Sequence, residues 1–399
     1  MNRTKYDVVV AGGSISGLLT AREIGSKSSI SVKVLEADHE IGTPEHCGGL
    51  VSLSGLRKLG IVPSSRTFRN HITRAKICSK SSSFVVDAKV QDVVAVDRRE
   101  LDKQLAFQAQ EVGVEVTTMC PVKSVSACHE LGVNNSHKVE NGYSYAVSTV
   151  EGTVYCKYFV DARGLSSLIR RHRTGILPSA QYEVFAPWID PDTVELYFDA
   201  DKYPGFFAWI IPLGEDRAKI GVAGRDINIV NSINSFLESK NSSYTISRKI
   251  FAPIYVSGPI GDFIEGNRSL IVGDAAGQTK PTTAGGILSS GMGGVLAGRA
   301  IIKAIEQEDD SFLGNYPNEW HSIFGFEFKK LILARKIFEH LDNKALDGLF
   351  STVSQPTLSR ISQNGEFDFH SAPLSLILNA RFTSRLVKGL LEGSLKRAK

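Results

Sequence analysis

This chain of 399 residues offers little to disulfide or metal chemistry. Its five cysteines are Cys47, Cys78, Cys120, Cys128 and Cys156, and no two form a C-x-x-C pair. That spacing argues against a disulfide framework, an iron–sulfur centre or another metal site, and it predicts a reducing, cytoplasmic setting. Charge of one sign is also scarce. The net charge of +4 is small and dispersed, which excludes the basic footprint of a nucleic-acid binder. No uninterrupted apolar run reaches about eighteen residues, so no membrane-spanning helix is expected. The N-terminus enters a strand within a few residues, which predicts no signal peptide. What remains, 42% apolar and 22% charged, suits a globular enzyme of one or two large domains.

Two glycine-containing segments stand out. The first, Gly12-Gly13-Ser14-Ile15-Ser16-Gly17, closes the apolar run Tyr6–Val10 and opens a helix expected over 18–24. Strand, tight turn and helix in that order receive a dinucleotide pyrophosphate on the N–H groups at the helix start. Gly12 permits the turn and Gly17 the close packing of helix on strand. Glu36, followed by Ala37, ends the next strand, expected over 31–35, where an acid accepts ribose hydroxyls and disfavours a 2′-phosphate. Ser14 replaces the middle glycine of the strict G-x-G-x-x-G pattern. A generic α/β turn is the plain alternative. The second segment, Gly273-Asp274-Ala275-Ala276-Gly277, follows Ser269-Leu270-Ile271-Val272 and carries an acid directly after its glycine.

Between these segments the pattern predicts an interleaved fold. Residues 1–70 form the first part of a nucleotide domain, and 71–96 are inserted strands that join a substrate domain. Residues 97–175 return to the nucleotide domain. They open with a helix capped by Asp97, with Glu100 three residues on as a capping-box partner, and include a hairpin insertion over 120–160. Residues 176–264 form the substrate domain, mostly β and rich in aromatics. Residues 265–310 complete the nucleotide domain with a small-residue helix over 290–305, and 311–399 are helical. Such insertions can build a substrate cavity against a cofactor, because sites gather where domains meet.

Four segments resemble the flavoprotein geranylgeranyl reductase family, above all the short archaeal digeranylgeranylglycerophospholipid reductases. More distantly they resemble the aromatic-hydroxylase class of FAD enzymes. They are Asp7 to Gly17, Asp97-Arg98-x-x-Leu101-Asp102, Asp161-Ala162-x-Gly164, and Gly273 to Gly277 with Pro281 and Ala284-Gly285-Gly286-Ile287. Cys47-Gly48-Gly49-Leu50-Val51-Ser52 resembles the reductases' cysteine-glycine loop. Phe207-x-Trp209-x-Ile211-Pro212, with Gly221 after it, resembles the aromatic motif that lines their lipid pocket. Phe207 stands where tyrosine is common, and Ala284 begins a segment often richer in glycine.

The resemblance implies an α/β protein: an FAD-binding Rossmann-like domain of the aromatic-hydroxylase type, an inserted antiparallel-sheet substrate domain and a helical C-terminal region. It implies FAD as cofactor and reduction of isolated double bonds in geranylgeranyl chains of ether lipids, by hydride from flavin N5 plus a proton. An external donor (ferredoxin, reduced quinone or NAD(P)H) would supply the electrons. Asp274 would meet the ribityl chain, cap a helix, or both. Arg98 would reach the cofactor, or else be a surface arginine. Gly285, Gly286 and Ile287 would run beside the isoalloxazine, or form a flexible linker.

Cys47 would act near the flavin, as proton donor or pocket wall, or be a small buried filler. Phe207 and Trp209, two apart on one strand face, would line a lipid tunnel with Pro212 and Gly221, or pack a core; Phe206 would point the other way. Residues 381–399, basic and apolar together, would lie on a membrane surface or pack against the domain. A monooxygenase of a hydrophobic or aromatic compound fits the flavin motifs equally well, and a non-catalytic flavin- or lipid-binding protein is a further alternative.

Overall fold

The strand Lys5–Ala11 pairs in parallel with two segments from different parts of the chain, Val32–Leu35 on one side and Thr153–Asp161 on the other. Thr153–Asp161 in turn pairs in parallel with Ser269–Ile271, and Val32–Leu35 with Glu115–Thr117. These strands read as continuous apolar runs because they are buried on both faces; Val8, Val9, Val10 and Val160 have no exposed surface. The strands Ser124–Ala127 and Tyr145–Ser148 extend the sheet from Thr153–Asp161 by antiparallel pairing. The computed structural model describes residues 4–27, 29–128, 142–167 and 174–378. The sheet belongs to the first of two compact units, formed by Met1–Arg69, Val96–Leu177 and Ala252–Ile332.

On this sheet the helices Ile15–Gly25 and Ile287–Glu306 cross at backbone contact. A Cβ on Gly294 would lie 2.2 Å from the Ser16 carbonyl oxygen, and Thr20 Oγ1 donates to the Gly294 carbonyl at 3.0 Å. The small residues of the later helix are therefore what lets it approach. Both helices begin earlier than their apolar periodicity suggests, because their first turns are made of the glycine motifs themselves. The helix Arg98–Glu111 starts at the expected cap: Asp97 accepts from the N–H groups of Arg99 and Glu100. Its own N–H goes to the Thr67 carbonyl at 2.8 Å, so the anticipated return bond from Glu100 is replaced by a tertiary one.

The second unit comprises Asn70–Ala95, Pro178–Phe251 and Leu333–Lys399. Its seven-stranded sheet has the order Thr245–Phe251, Ser179–Phe185, Arg217–Ala223, Ala208–Pro212, Thr193–Tyr197, Arg74–Cys78, Ser83–Asp87. All neighbours are antiparallel except Thr193–Tyr197 with Arg74–Cys78. The inserted strands thus extend the sheet of the later segment. One face packs Tyr182, Ile210 and Ile220 with Ile233, Phe236 and Leu237 of the helix Ile229–Glu238. That helix lies in a stretch whose aromatics read as β. Near the other end of the sheet, Phe84 and Val86 pack with Leu346, Leu349 and Phe350 of the helical C-terminal segment. The long helix Asn315–Phe338 contributes to the first unit up to Ile332. The proposed surface segment 381–399 lies outside the described residues, as does most of the short helix expected over 166–171.

Candidate functional site

Four parallel strands of the first unit end in one row. Leu35, Ala11, Asp161 and Ile271 are register partners in sequence across the sheet. The residues that follow them, Glu36, Gly12, Ala162 and Val272–Gly273, therefore emerge side by side at the carboxyl edge, where open α/β sheets bind ligands. Gly12 has φ +111°, and a Cβ there would lie 2.3 Å from the Ala162 carbonyl oxygen. Gly273 has φ +67°, and a Cβ there would lie 2.3 Å from Ser16 Oγ. Gly164 and Asp274 are also neighbours, a Cβ on the glycine standing 3.9 Å from that of the acid. Three motifs remote in sequence thus touch through their glycines.

The acid after the second strand is engaged with the turn. Glu36 accepts from the Gly13 N–H at 2.6 Å and from the Asp38 N–H at 2.9 Å. Ala37 beside it is exposed. The helix Ile15–Gly25 has no side-chain cap, because Ser14 turns its hydroxyl to Asp102 at 3.1 Å. Ile15, Ser16 and Gly17 form its buried first turn. The helix starting at Ile287 is likewise without a side-chain cap, with Gly286 at the cap position.

Arg98 is buried rather than a surface residue. Its Nη2 contacts Asp102 Oδ1 at 3.0 Å and Ser14 Oγ at 3.3 Å, while its Nε is buried with no partner. Burial opposes the guanidinium charge, but Asp102 and Cys47 outweigh it and hold the pKa above its ordinary value. Burial pushes the Asp102 carboxyl upward, against the pull of Arg98 and Ser14. The cysteine loop is strapped to the same helix. Glu45 accepts from the Arg98 N–H at 2.9 Å, and a Cβ on Gly49 would meet the Val96 carbonyl at 2.2 Å. Cys47 is half-buried; its sulfur accepts from the Gly49 N–H at 3.3 Å and contacts the Arg98 guanidinium. Gly48 between them is half-buried and His46 is exposed.

Asp274 is exposed at its side chain, yet protein surrounds it closely enough that burial raises its pKa, with Ser290 and Arg98 pulling the other way. Ser290 Oγ donates to Asp274 Oδ1 at 3.2 Å. The Asp274 loop is held from beneath by Gln278, which accepts from the Gly273 N–H at 2.8 Å and donates to the Tyr316 hydroxyl at 2.9 Å. Gly277, at φ +67°, closes the short 3-10 helix Gly273–Ala276. Gly285 packs against Lys280 and Thr283, Gly286 against Thr279 and Ser290, and Ile287 is buried. Ala284 has φ +53°, a left-handed conformation that favours glycine.

Asp161 behaves differently from its expected cofactor role. Its side chain is buried, receives Arg163 at 2.9 Å and 2.8 Å, and accepts from Ser167. Its contribution to the edge is the position of its backbone. Sequence reasoning overlooked Glu45, Gln278 and Ser290, and assigned Asp102 no role. Only Asp102 carried a signal, as the carboxylate four residues after Arg98 on one helix face.

FAD fits these residues. Glycine cradles that a Cβ would fill, two helix starts without side-chain caps, an acid at the end of the second strand and an unpartnered guanidinium Nε are compatible with a bound dinucleotide. Among the described residues no cluster of metal-ligating side chains occurs.

In the second unit, Trp209 lies across Gly221, its register partner, where a Cβ would stand 2.2 Å from the indole. Its Nε1 donates to Gln181 Oε1 at 3.2 Å. Phe207 precedes the strand, and there the two-residue alternation does not apply. Phe206 stacks on it at 4.1 Å instead of pointing away, and Phe198 adds a third ring at 5.1 Å. Phe207 is only 5% exposed, so it backs the half-buried Trp209. Pro212 ends the strand, its carbonyl accepting from Asn70 at 3.2 Å.

No protein-family model matches the chain. Digeranylgeranylglycerophospholipid reductase 2 of Methanothermobacter thermautotrophicus is 32% identical over 90% of this chain and 94% of that protein. The chain belongs to the digeranylgeranylglycerophospholipid reductase family. A geranylgeranyl bacteriochlorophyll reductase-like protein from Thermoplasma acidophilum has the same fold, with a TM-score of 0.82 at 22% identity over 98% of this chain and all of that one. p-Nitrophenol 4-monooxygenase from Pseudomonas putida also shares it, with a TM-score of 0.68 at 18% identity over 93% of this chain and 99% of that one. The architecture is thus the two-domain FAD-binding fold of the aromatic-hydroxylase type.

Proposed function

We propose that this chain is an FAD-dependent reductase that saturates isolated double bonds in the geranylgeranyl chains of a glycerol-linked lipid. The observation that carries the reading is the row of four strand ends joining Glu36, Gly12, Ala162 and Gly273 at one sheet edge. Membership of the reductase family supports the prenyl substrate. On this reading the N–H groups of Ile15, Ser16 and Gly17 bind pyrophosphate and Glu36 accepts ribose hydroxyls. Asp274 orients the ribityl chain, and Arg98, fixed by Asp102 and Ser14, donates through its remaining edge. The backbone from Gly285 to Ile287 lines the ring. Bound FAD supplies the hydride. The chain's own task is then alignment and a proton, since an isolated alkene has no group to stabilise charge. Cys47 Sγ, held by Gly49 and Arg98, is the candidate proton carrier. Trp209 forms an apolar wall, where each buried isoprenoid methylene contributes about 0.8 kcal/mol. The electrons come from a ferredoxin, a reduced quinone or NAD(P)H. Among the described residues no helix is long and apolar enough to cross a membrane; on this reading the lipid is met by peripheral contact.

Anaerobic mixing of the reduced protein with a geranylgeranyl glycerol lipid tests this. Flavin reoxidation with a gain of two hydrogens per double bond is expected; absence of both refutes it. The fold shared with a monooxygenase favours one other outcome, oxygen consumption with a hydroxylated product, and the same mixture opened to air reads it.

A further inference from the structure

The helix Asn315–Phe338 has two faces of opposite kind. Its inner face, with Tyr316, Trp320, Phe324, Phe328 and Leu331, is buried. That face holds the segment around Asp274 in place. The Tyr316 hydroxyl donates to the Ile271 carbonyl at 2.7 Å and accepts from Gln278, and Trp320 Nε1 donates to the Ser289 carbonyl at 3.0 Å. Ile332 flanks the same segment: a Cβ on Gly258 would lie 3.0 Å from the Ile332 Cδ1 and 3.4 Å from the Pro281 Cγ.

The outer face joins large apolar side chains to lysines. Ile323, Phe326 and Leu333 are 45%, 70% and 61% exposed. At 3.6 residues per turn they share an arc of about 120° with Lys329 and Lys330, and the stripe from Ile323 to Leu333 is about 15 Å long. Lys330 Nζ lies 4.3 Å from the centre of the Phe326 ring, the arrangement in which a lysine covers an apolar group and keeps its charge at the edge. From Trp320 to Phe338 the helix carries one carboxylate, Glu327, and it is buried, so the ionic groups this stretch exposes are all basic. Glu319 is exposed one turn before Ile323, at the far end of the stripe. Single exposed apolar residues are ordinary; these are aligned with basic ones along one helix face.

We infer that this outer face rests on an anionic lipid surface, with Phe326 and Leu333 entering the interface and Lys329 and Lys330 level with the headgroups. The inference rests on the prenyl-lipid reading above and adds to it where the lipid layer is met. The helix that meets the layer holds, on its inner side, the segment which that reading gives to the flavin. A stripe about 15 Å long and one helix wide falls well short of the roughly 800 Å² that a stable protein partner covers on each side. A few inserted side chains with basic neighbours are enough for a lipid surface.

Cosedimentation of the full chain with vesicles of phosphatidylcholine, with and without phosphatidylglycerol, tests this, with folding checked by thermal unfolding. The protein should bind the anionic vesicles more tightly, and less so as salt rises. Phe326→Gln should weaken that binding about tenfold. Lys329→Gln combined with Lys330→Gln should weaken it by roughly the same factor and bring the two vesicle types closer together. Phe107→Gln, at a phenylalanine 61% exposed on the helix Arg98–Glu111, should change nothing. Binding within about twofold of the parent in both Phe326→Gln and the double-lysine variant overturns the inference, as does an equal loss in Phe107→Gln. Loss of a dimer in vesicle-free sedimentation assigns the face to a second copy. Slower reduction by a reduced ferredoxin, with vesicle binding unchanged, assigns it to an acidic protein; either result overturns the lipid surface. Turnover separates this from the reductase reading. The variants should reduce detergent-dispersed lipid at the parent rate and vesicle lipid more slowly. No reduction in either form, with vesicle binding still lost in the variants, refutes the reductase and leaves the surface standing. Parent rates and parent binding on vesicles do the reverse.

Discussion

Replacing Gly12 with alanine tests whether the first and middle motifs close on each other as the geometry requires. The added Cβ would stand 2.3 Å from the Ala162 carbonyl oxygen, where ordinary contact begins at 3.4 Å. The strand ends must part by about 1 Å. The hydrogen bonds that hold this turn, Ala162 N to Ala11 O and Gly12 N to Leu35 O, are both 2.8 Å and cannot absorb that shift. Backbone strain at φ +111° adds about 1–3 kcal/mol and the overpacking a further ~1–3 kcal/mol. Gly12→Ala should therefore lose about 2–6 kcal/mol, a large share of a typical domain's stability, together with the visible absorbance of bound flavin. Denaturant unfolding followed by circular dichroism reads the first effect. An alanine variant within ~0.5 kcal/mol of the parent that retains flavin would refute the reasoning.

Other substitutions probe separate parts of the account. Gly348→Ala, inside the helix Asn343–Ser351 and with nothing within 4 Å of the new Cβ, should stabilise by about 1 kcal/mol in the same unfolding assay. Asp102→Asn leaves the buried Arg98 without its anion and should cost about 3–5 kcal/mol, whereas an apolar replacement of both partners should cost less; equal costs would contradict the pairing. Ala284→Gly relieves about 1–2 kcal/mol of left-handed strain against ~0.5–1 kcal/mol of added chain entropy, so a gain of up to about 1.5 kcal/mol is expected by thermal unfolding. Burial opposes ionisation of Asp97, but Arg69, Arg99 and the Glu100 N–H hold its pKa well below the usual carboxylate range. Its stabilisation is present above about pH 4, the unfolded value, and is lost as pH falls toward the depressed folded value. Asn at this position still caps the helix, so Asp97→Asn should lower stability near neutral pH and converge with the parent in acid; parallel melting curves across pH would contradict this.

The nucleotide fold was legible because its glycines answer to backbone geometry. A turn after Tyr6–Val10 and another after Ser269–Val272 can be read from neighbouring residues alone. What could not be read is what lies beneath them. Gln278 and Tyr316 are joined by a hydrogen bond across the fold, and neither residue type signals a partner by local spacing. Arg98 was legible as a candidate but its surroundings were not, since burial depends on packing. The aromatic segment misled at Phe206 and Phe207 because strand alternation holds only inside the ladder, which begins at Ala208.

Strand ends from four parts of the chain are proposed to build a single FAD seat. Titration of flavin-stripped protein with FAD, followed by flavin fluorescence, tests it most directly. One FAD should bind per chain, with affinity lost in Gly12→Ala and in Gly273→Ala alike, because each Cβ would enter the same junction from a different motif. A protein that takes up no FAD, or one whose binding survives both substitutions together, would contradict it.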